Sequence, residues 1–410
     1  MATVVLGAGV IGVTAAWYLA KAGHQVVVVE RNGAAGLETS FGNGGLLHAS
    51  EAEPWSRPGT PLKLLRWIGR EDAPLLLRYS ALPDMWRWGL RFSANCRHDR
   101  FIATTISNLA LAMESLAAID AIVAETGIQY DRLRRGILKI YRSTGNLEAA
   151  LRHVDSLAPH GLVFRQLTAE ECVALEPALA DTRRTLVGGI LFERDEVGDC
   201  NRFTQGLAAA AARAGVDLRF GTSVRRLDIG GGRIRGVETD NGRIDADRVV
   251  VAMGSFTAPL LRTVGIALPI YPVKGISVTF DRGGWNGAPK IAMIDDEAML
   301  GISSIGDRIR IAGSAEIAGY DPRPSMTRAR AMVRRAIGSL PAMAPYLDLD
   351  KAEVWAGLRP VSANGRPIIG PTSIAGLWVS SGHGHLGWTL ACGSARRLAS
   401  LMGDPCRQHV

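Results

Sequence analysis

The N-terminal pattern of short apolar runs around a glycine loop constrains the fold more than any other feature of the chain. Residues 3–6 form an apolar run that ends in the loop GAGVIG, residues 7–12. Residues 10–22 carry apolar and small side chains at helical spacing, and residues 25–30 form a second, β-branched run. A strand, a glycine loop, a helix and a strand in this order open a doubly wound parallel sheet. We therefore predict an α/β fold with a Rossmann-like domain.

Each residue type in this pattern has a physical role in binding a dinucleotide. Gly7 allows the tight turn, Gly9 lets the backbone approach a pyrophosphate, and Gly12 lets the helix pack closely on the strand. The helix N-terminus adds unpaired N–H groups and a partial positive charge. Glu30 ends the second strand, where an acidic side chain accepts hydrogen bonds from ribose hydroxyls. We predict an ADP-containing dinucleotide, although this pattern alone leaves NAD and FAD open.

The composition argues against several other classes of protein. The chain has 410 residues, of which 47% are apolar and 47 are glycine, as is typical of a globular enzyme. Its net charge of +8 comes without a lysine-rich run or an aromatic stacking pattern, so we expect no nucleic-acid partner. A basic surface favours anionic cofactors and substrates or an anionic membrane face, or it has no specific partner. No segment beyond the glycine-interrupted N-terminus offers about 20 continuous apolar residues, so we expect no transmembrane helix.

The cofactor-domain pattern returns late in the chain, after segments of a different character. Alternating apolar runs in residues 269–280 and 291–313 predict strands of an antiparallel sheet, and residues 99–127 predict a long amphipathic helix. We therefore predict a discontinuous Rossmann-like cofactor domain and an α+β substrate domain that contains the antiparallel sheet. The predicted cofactor domain comprises residues 1–50, 190–268 and 352–410, and the predicted substrate domain comprises residues 51–189 and 269–351.

Motifs along the whole chain favour FAD over NAD. An NAD dehydrogenase usually completes its cofactor site in one compact run of β-α units, whereas here cofactor-like sequence recurs at the far C-terminus. The segment ETSFGNGG, residues 38–45, is small, polar and glycine-rich, which suits backbone that presses against a flat ring. Further motifs are EPWSRPGTPLK, GDCNRFTQGLA, PVKGISV, GLRPVSANGRPIIG and GHGHLGWTLACGS. Together they resemble the D-amino acid dehydrogenase family (small-subunit type), within the glycine oxidase and D-amino acid oxidase superfamily.

The resemblance covers nearly the whole chain and implies a function. It implies FAD held non-covalently and oxidative deamination of D-amino acids to 2-oxo acids and ammonia. It also implies electron transfer to a quinone or another acceptor, in the cytoplasm and peripherally at the inner face of the membrane. The alternatives are an FAD enzyme for D-hydroxyproline, glycine or sarcosine, an NAD-dependent dehydrogenase, and a non-catalytic flavin-holding subunit. The preferred D-amino acid, the reactivity with oxygen, the physiological acceptor and the oligomeric state stay open.

The resemblance also assigns residues to the FAD site, in the glycine loop, at the strand ends and in the segment after the second strand. These residues are Gly7, Gly9, Gly12, Glu30, Arg31, Thr39, Ser40, Asn43, Gly44, Gly45, Val224, Ala252 and Gly254. Val224 matches the position whose backbone meets adenine, and Ala252 and Gly254 match the strand end under the diphosphate. Arg31 either flanks the adenine or is a solvated charge at the strand end.

The substrate carboxylate calls for a cation. Arg359, in GLRP, matches the arginine that this superfamily uses for a bidentate grip, which suits guanidinium geometry. Tyr271, Lys274 and Tyr320 are weaker candidates for the pocket wall, with a structural role as the alternative for each. His48 follows the flavin-facing loop and is a candidate for the wall rather than for a base. A dedicated base is not required, because a neutral amine can lose hydride from Cα to flavin N5 as its lone pair forms the imine.

The histidines of GHGHLGWTLACG, residues 382–393, look like metal ligands. However, two histidines one residue apart without a cysteine or carboxylate cluster make a poor site, so we expect no metal. The five scattered cysteines contain no C-x-x-C pair, which argues against zinc and against a disulfide framework. We expect instead that the glycines bring a helix N-terminus against the flavin, where its N–H groups stabilise negative charge. The flavin-binding residues expected here are Gly382, Gly384, His385, Leu386 and Gly387.

Overall fold

The computed structural model describes residues 2–71 and 73–403, so Cys406 and the end of the predicted cofactor domain lie outside the described residues. Its strands are β1 (Thr3–Leu6), β2 (Val26–Val29), β3 (Leu46–Leu47), β4 (Leu75–Leu77), β5 (Ile137–Tyr141), β6 (Arg165–Leu167), β7 (Gly188–Phe192), β8 (Glu196–Val197), β9 (Asp217–Arg219), β10 (Val224–Gly230), β11 (Arg233–Thr239), β12 (Gly242–Asp245), β13 (Arg248–Val251), β14 (Ile270–Asp281), β15 (Ala292–Asp295), β16 (Leu300–Ile305), β17 (Arg308–Ile317), β18 (Glu353–Ser362), β19 (Ile368–Pro371) and β20 (Leu377–Ser381).

The α-helices are α1 (Val10–Lys21), α2 (Thr60–Arg66), α3 (Leu82–Asn95), α4 (His98–Thr126), α5 (Thr144–Leu157), α6 (Ala169–Leu175), α7 (Cys200–Arg213), α8 (Thr257–Arg262), α9 (Met326–Ser339) and α10 (Gly387–Met402). Short 3₁₀ turns lie at Ala49–Glu51, Tyr79–Ala81, Ala158–His160, Pro177–Thr182, Gly254–Phe256, Pro341–Tyr346 and Gly384–Leu386.

The N-terminal strand–loop–helix–strand unit forms the centre of a six-stranded sheet. The strand order is β19-β20-β13-β1-β2-β9, and every neighbouring pair is parallel except the edge pair β19 and β20. The carboxyl ends of β1, β2 and β13 therefore meet at one edge, where ligands bind in sheets of this kind. The predicted α/β class and its Rossmann-like domain are confirmed.

Alternate side chains of β1 face two different layers, as the two-residue period of a strand requires. Val5 packs into a core with α1, α4, α7 and α10. Val4 and Leu6 pack on the opposite side against the antiparallel sheet of β10, β11 and β12. The turns between these three strands fall at glycine-containing positions, residues 230–232 and 241–242. The central sheet is thus covered by helices on one face and by a β-meander on the other.

A second, mainly antiparallel sheet of nine strands has the order β18-β14-β17-β16-β15-β5-β7-β6, with β4 paired to β17. This sheet contains the antiparallel strands predicted for the substrate domain. One of its strands is β18, because its backbone pairs with β14 along most of its length. The sequence, in contrast, placed the whole segment 352–410, which includes β18, in the cofactor domain. The exact limits of the two predicted domains stay a prediction.

The helix predicted over residues 99–127 is α4, which ends at the left-handed Gly127. Among the described helices it is long and apolar enough to cross a membrane, judged by length and composition alone. Leu109 and Ala112 of α4 pack in one core with Leu386 and Leu390, and its C-terminal half packs against α1 and α10. We therefore assign α4 to the core of the molecule.

Candidate functional site

A cavity of about 450 Å³ lies between the carboxyl edge of the six-stranded sheet and one face of the nine-stranded sheet. Most of the residues that the sequence assigned to cofactor or substrate line this cavity together. They are Gly7, Gly9, Glu30, Arg31, Thr39, Ser40, Asn43, Gly44, His48, Val224, Ala252, Gly254, Arg359, Gly384, His385 and Gly387.

The glycine loop brings the backbone of three elements into close contact at one end of the cavity. Gly7 has a φ of 99°, and a Cβ there would come within 2.8 Å of the Ala252 carbonyl oxygen. A Cβ on Gly12 would come within 1.8 Å of the Gly7 carbonyl oxygen, so Gly12 lies behind the loop rather than in the cavity wall. Gly9 is the N-cap of α1 and adds no side-chain cap. The loop therefore presents backbone to a ligand at the N-terminus of α1.

The carboxylate of Glu30 is held rigidly at the end of β2. It is buried, and it accepts hydrogen bonds from the Ala8 N–H at 2.8 Å and from the Asn32 N–H at 2.9 Å. Arg31 beside it forms an ion pair with Glu38 and lies over the Phe256 ring at 4.3 Å from the ring centroid. The Arg31 charge is therefore already paired within this part of the cavity wall.

The segment after β2 connects this end of the cavity to the nine-stranded sheet. Ser40 Oγ accepts a hydrogen bond from the Val10 N–H of α1 at 3.0 Å, and Thr39 Oγ1 donates to the Leu358 carbonyl at 3.2 Å. The carbonyl of Asn43 accepts a hydrogen bond from the buried Arg310 guanidinium at 2.7 Å. These contacts fix the segment against both walls of the cavity.

Arg359 lies in the cavity wall on β18. Its Nη1 donates a hydrogen bond to the Ser314 carbonyl at 3.0 Å, and its guanidinium lies over Trp55 at 5.6 Å from the ring centroid. Burial lowers the pKa of Arg359 to about 10, so it stays charged at neutral pH. No carboxylate of the described residues lies within 4.0 Å of this guanidinium. The arrangement leaves a half-buried cation in the cavity wall that can bind a ligand anion.

The buried His48 and His383 and the half-buried His385 lie around the cavity, and all three are neutral at physiological pH. Burial lowers the pKa of His48 to about 4 and the pKa values of His383 and His385 to about 3 each. His383 Nε2 lies 3.0 Å from Ser394 Oγ, and His385 Nε2 lies 3.4 Å from the Glu51 carbonyl oxygen. Within the described part of the chain, no three His, Cys, Asp or Glu side chains are grouped to hold a metal ion.

Six expected site residues lie outside the cavity wall: Gly12, Gly45, Tyr271, Lys274, Gly382 and Leu386. Lys274 is buried in a different polar cluster, where its amine lies 3.6 Å from the Glu316 carboxylate and donates to the Arg323 carbonyl. Tyr271 packs against Trp88 in an apolar core. Residues 271 and 274 are three apart on β14, so alternation places them on opposite faces of the strand, and neither side chain lines the cavity. Tyr320 is also outside the wall and donates a hydrogen bond to the Ser255 carbonyl.

The cavity wall also contains residues that the sequence did not indicate. Among them are Thr222, Ser223, Ser255, Gly275, Ile276, Trp355 and His383. Trp355 packs closely over Gly357 and Gly42, neither of which has room for a Cβ. Two-residue alternation along β18 could have placed residues 355, 357 and 359 on one face, had the segment been recognised as a single strand.

The chain belongs to the FAD dependent oxidoreductase family, which matches residues 2–401. Among its relatives is the D-amino acid dehydrogenase of Paramagnetospirillum magneticum, 46% identical over 98% of this chain and 95% of the relative. The D-amino acid dehydrogenase of Rhizobium johnstonii is 43% identical over 98% of this chain and 96% of the relative. The resemblance drawn from the motifs is therefore confirmed, and FAD is the cofactor.

Solved structures of the same fold cover almost the entire chain. A glycine oxidase from Bacillus cereus superimposes with a TM-score of 0.76 at 24% identity, covering 98% of this chain and 94% of that chain. An L-proline dehydrogenase from P. horikoshii superimposes with a TM-score of 0.78 at 20% identity, covering 98% and 92%. At these identities the likeness concerns the fold.

The cavity fits FAD in two independent respects. Its walls include the N-terminus of α1 at one end and the N-terminal residues of α10 at the other, so two helix ends can face the anionic parts of one long ligand. In addition, three of its buried side chains each keep one polar atom without a hydrogen-bond partner in the described part of the chain, namely His48 Nδ1, His383 Nδ1 and Trp388 Nε1. Buried polar atoms of this kind are normally satisfied, so they mark places for a ligand.

Proposed function

We propose that the chain is an FAD-dependent D-amino acid dehydrogenase, which converts D-amino acids to 2-oxo acids and ammonia. The full-length relatives at 46% and 43% identity carry this name and support it. The observation that carries the proposal is the Arg359 guanidinium in the wall of the cofactor cavity, which has no acidic partner among the described residues and suits an α-carboxylate.

We propose the residues that hold FAD on the basis of their places in or behind the cavity wall. We assign the ADP half to the glycine loop, Glu30 and the backbone around Val224, and the flavin half to residues 39–44 and the start of α10. Gly12, Gly45, Gly382 and Leu386 would support this site from behind the wall. When bound, FAD supplies the acceptor for the two electrons and the hydrogen that leave Cα.

The protein's own residues bind and orient the substrate. Arg359 pairs with the carboxylate, and this fixes the position of Cα in the cavity. His48 lines the cavity with an unpartnered Nδ1 and is neutral above its lowered pKa of about 4, so it can accept a hydrogen bond from the substrate amine. We assign no part to Tyr271 or Lys274, because their polar atoms lie outside the cavity wall.

The acceptor that reoxidises the flavin is proposed to be a membrane quinone, reached by peripheral contact with the cytoplasmic face of the membrane. Helix α3 supports this idea, because Leu82, Trp86 and Leu90 form an exposed apolar stripe at four-residue spacing. Exposed Arg87 and Arg91 flank the stripe. An apolar stripe with an aromatic side chain and flanking cations is complementary to an anionic lipid surface.

The membrane proposal is tested by co-sedimentation with phosphatidylglycerol vesicles and with phosphatidylcholine vesicles. We expect the wild type to sediment with the anionic vesicles, and Trp86→Glu and Leu90→Glu to stay in solution. Leu401→Glu is the matched control, because Leu401 is equally exposed but lies on α10. Equal sedimentation of all four proteins, or of none, would contradict the assignment.

The enzymatic proposal is tested by product analysis with an artificial electron acceptor. D-alanine should yield pyruvate and ammonia in equal amounts with one equivalent of acceptor reduced, whereas L-alanine should yield neither. Turnover of glycine or sarcosine in preference to every D-amino acid would instead assign the protein to another amine substrate.

A further inference from the structure

We propose that Ser314 and Gly275 are positioning residues that aim the guanidinium of Arg359 at a carboxylate. The inference rests on the proposed function, because it gives Arg359 the substrate carboxylate as its partner. It concerns a bulge in the nine-stranded sheet beside Arg359.

The bulge lies where β17 changes its pairing partner. On β14 a single residue, Gly275, lies opposite two residues of β17, Ser314 and Ala315. Before this point β17 pairs with β16, and after it β17 pairs with the short parallel strand β4. A bulge of this kind redirects the backbone and often occurs beside an active site.

Ser314 holds a strained backbone conformation at the bulge. Its φ is 62°, in the left-handed region that residues other than glycine rarely adopt. In this conformation its carbonyl oxygen accepts the hydrogen bond from Arg359 Nη1 at 3.0 Å. Strain of this type persists only where neighbouring groups hold it, and it concentrates at functional sites.

Arg328 is the group that holds the bulge. It is buried, and its Nη2 donates to Ser314 Oγ at 2.5 Å and to the Ala315 carbonyl at 3.3 Å. Its Nε lies 3.4 Å from the Glu316 carboxylate, which also lies 3.6 Å from the Lys274 amine. These hydrogen bonds from Arg328 therefore hold the backbone at Ser314, while the Ser314 carbonyl faces Arg359.

Gly275 provides the space in which the guanidinium lies. A Cβ at this position would come within 2.1 Å of Arg359 Nη1 and 2.2 Å of Cζ. The atoms that such a Cβ would displace are the end of a flexible side chain and not backbone. Alanine at position 275 should therefore move the guanidinium and leave the strand in place.

Trp55 is a further neighbour of the guanidinium, with its ring centroid 5.6 Å from Arg359 Cζ. The Arg359 guanidinium is thus oriented by the Ser314 carbonyl, by the Trp55 indole and by the free space at Gly275. It has no acidic partner among the described residues. A guanidinium held in this way can offer two parallel N–H groups to one carboxylate. We therefore expect Gly275 and Ser314 to determine selectivity for carboxylates over uncharged ligands of the same shape.

The test compares benzoate with benzamide as ligands of the FAD-loaded protein, through the change each causes in flavin absorbance. For Gly275→Ala we expect benzoate affinity to fall by about 10- to 100-fold, as a displaced binding group implies. Benzamide affinity should change by less than about twofold, because benzamide has no charge for the guanidinium to pair with. Gly338→Ala is the control, since a Cβ there meets open space.

A second variant, Ser314→Ala, keeps the carbonyl but removes the bond from Arg328. We expect Ser314→Ala to lower the affinity for benzoate by a smaller factor than Gly275→Ala does. The affinity for benzamide should be unchanged. If Gly275→Ala does not fold, Ser314→Ala alone tests the proposed positioning role. Equal losses for benzoate and benzamide, or unchanged benzoate binding in both variants, would overturn the proposal.

These binding assays also separate the inference from the proposed function. If the wild type oxidises no D-amino acid while both variants still lose benzoate selectively, the proposed function fails and the positioning role stands. If D-amino acids are oxidised but benzoate binds all proteins equally, the positioning role fails alone.

Discussion

The imidazole of His385 stacks on the indole of Trp55, with ring centroids 5.2 Å apart and planes 11° from parallel. Arg359 lies against the same indole. Burial lowers the pKa of His385 to about 3, so its ring is neutral wherever the enzyme is expected to work. Its contribution is therefore one of packing beside Arg359 rather than of proton transfer.

His385→Thr should retain FAD and lose less than about tenfold in kcat/KM, well below the effect of removing a general base. The pH profile of kcat/KM between pH 5 and 9 should keep its shape, because a group with a pKa of about 3 does not titrate there. A loss above about 100-fold together with a missing limb of the profile would show that His385 transfers a proton.

Gly12→Ala should abolish FAD binding. The added Cβ would come within 1.8 Å of the Gly7 carbonyl, and neither strand nor helix can yield without opening the loop. Gly33→Ala is the matched control, since a Cβ there meets nothing within 4 Å. Flavin absorbance per protein after purification and after incubation with excess FAD is the measurement. A fully yellow Gly12→Ala protein would contradict the assigned glycine loop.

Arg359→Met should lower kcat/KM for D-amino acids by about 10²- to 10⁴-fold, as expected when two charge-assisted hydrogen bonds are lost. Arg359→Lys should recover part of this loss, because lysine keeps the charge but not the planar fork. FAD content and the flavin spectrum should be unchanged in both variants. Arg397→Met, which removes an exposed arginine paired with Glu114, serves as the control. Wild-type kinetics for Arg359→Met would remove the basis of the proposed function.

We expect the buried Asp195 carboxyl to make the stability of the folded protein depend on pH. Burial raises its pKa to about 7, although its Oδ1 accepts a hydrogen bond from the Ala49 N–H at 2.9 Å. Since the folded pKa lies above the usual value of 3.8, its favourable contribution is complete below pH 3.8 and is lost as pH rises to about 7.

Asp195→Asn cannot ionise, so its stability relative to the wild type should rise between pH 5 and pH 8. We expect a gain of roughly 2–3 kcal/mol in the free energy of unfolding, measured by denaturant titration with saturating FAD. The exposed Asp155→Asn should show no such difference between the two pH values. A difference that shrinks as pH rises would contradict the raised pKa of Asp195.

Local patterns made much of the cofactor half predictable from the sequence. The loop from Gly7 to Gly12 and the acid at Glu30 lie within one strand–helix–strand unit, so spacing along the chain fixes their places in space. Arg359 was predicted from its motif, and it lies in the cavity wall.

Long-range pairing explains what the sequence did not reveal. Whether Lys274 faces the cavity depends on which neighbours pair with β14, and these come from distant segments of the chain. The bulge at Ser314 arises from a register shift between β14 and β17 and leaves no mark on hydrophobic periodicity. Trp355 and His383 were missed for the same reason, since they reach the cavity only once β18 and the C-terminal turn are assembled.

Anaerobic mixing of the FAD-loaded protein with D- and L-amino acids tests the central claim most directly. Bleaching of the flavin absorbance reports reduction by the substrate without any external acceptor. D-amino acids should bleach the flavin, and their L-enantiomers should leave it yellow. Bleaching by L-amino acids alone, or by no amino acid at all, would contradict the proposed function.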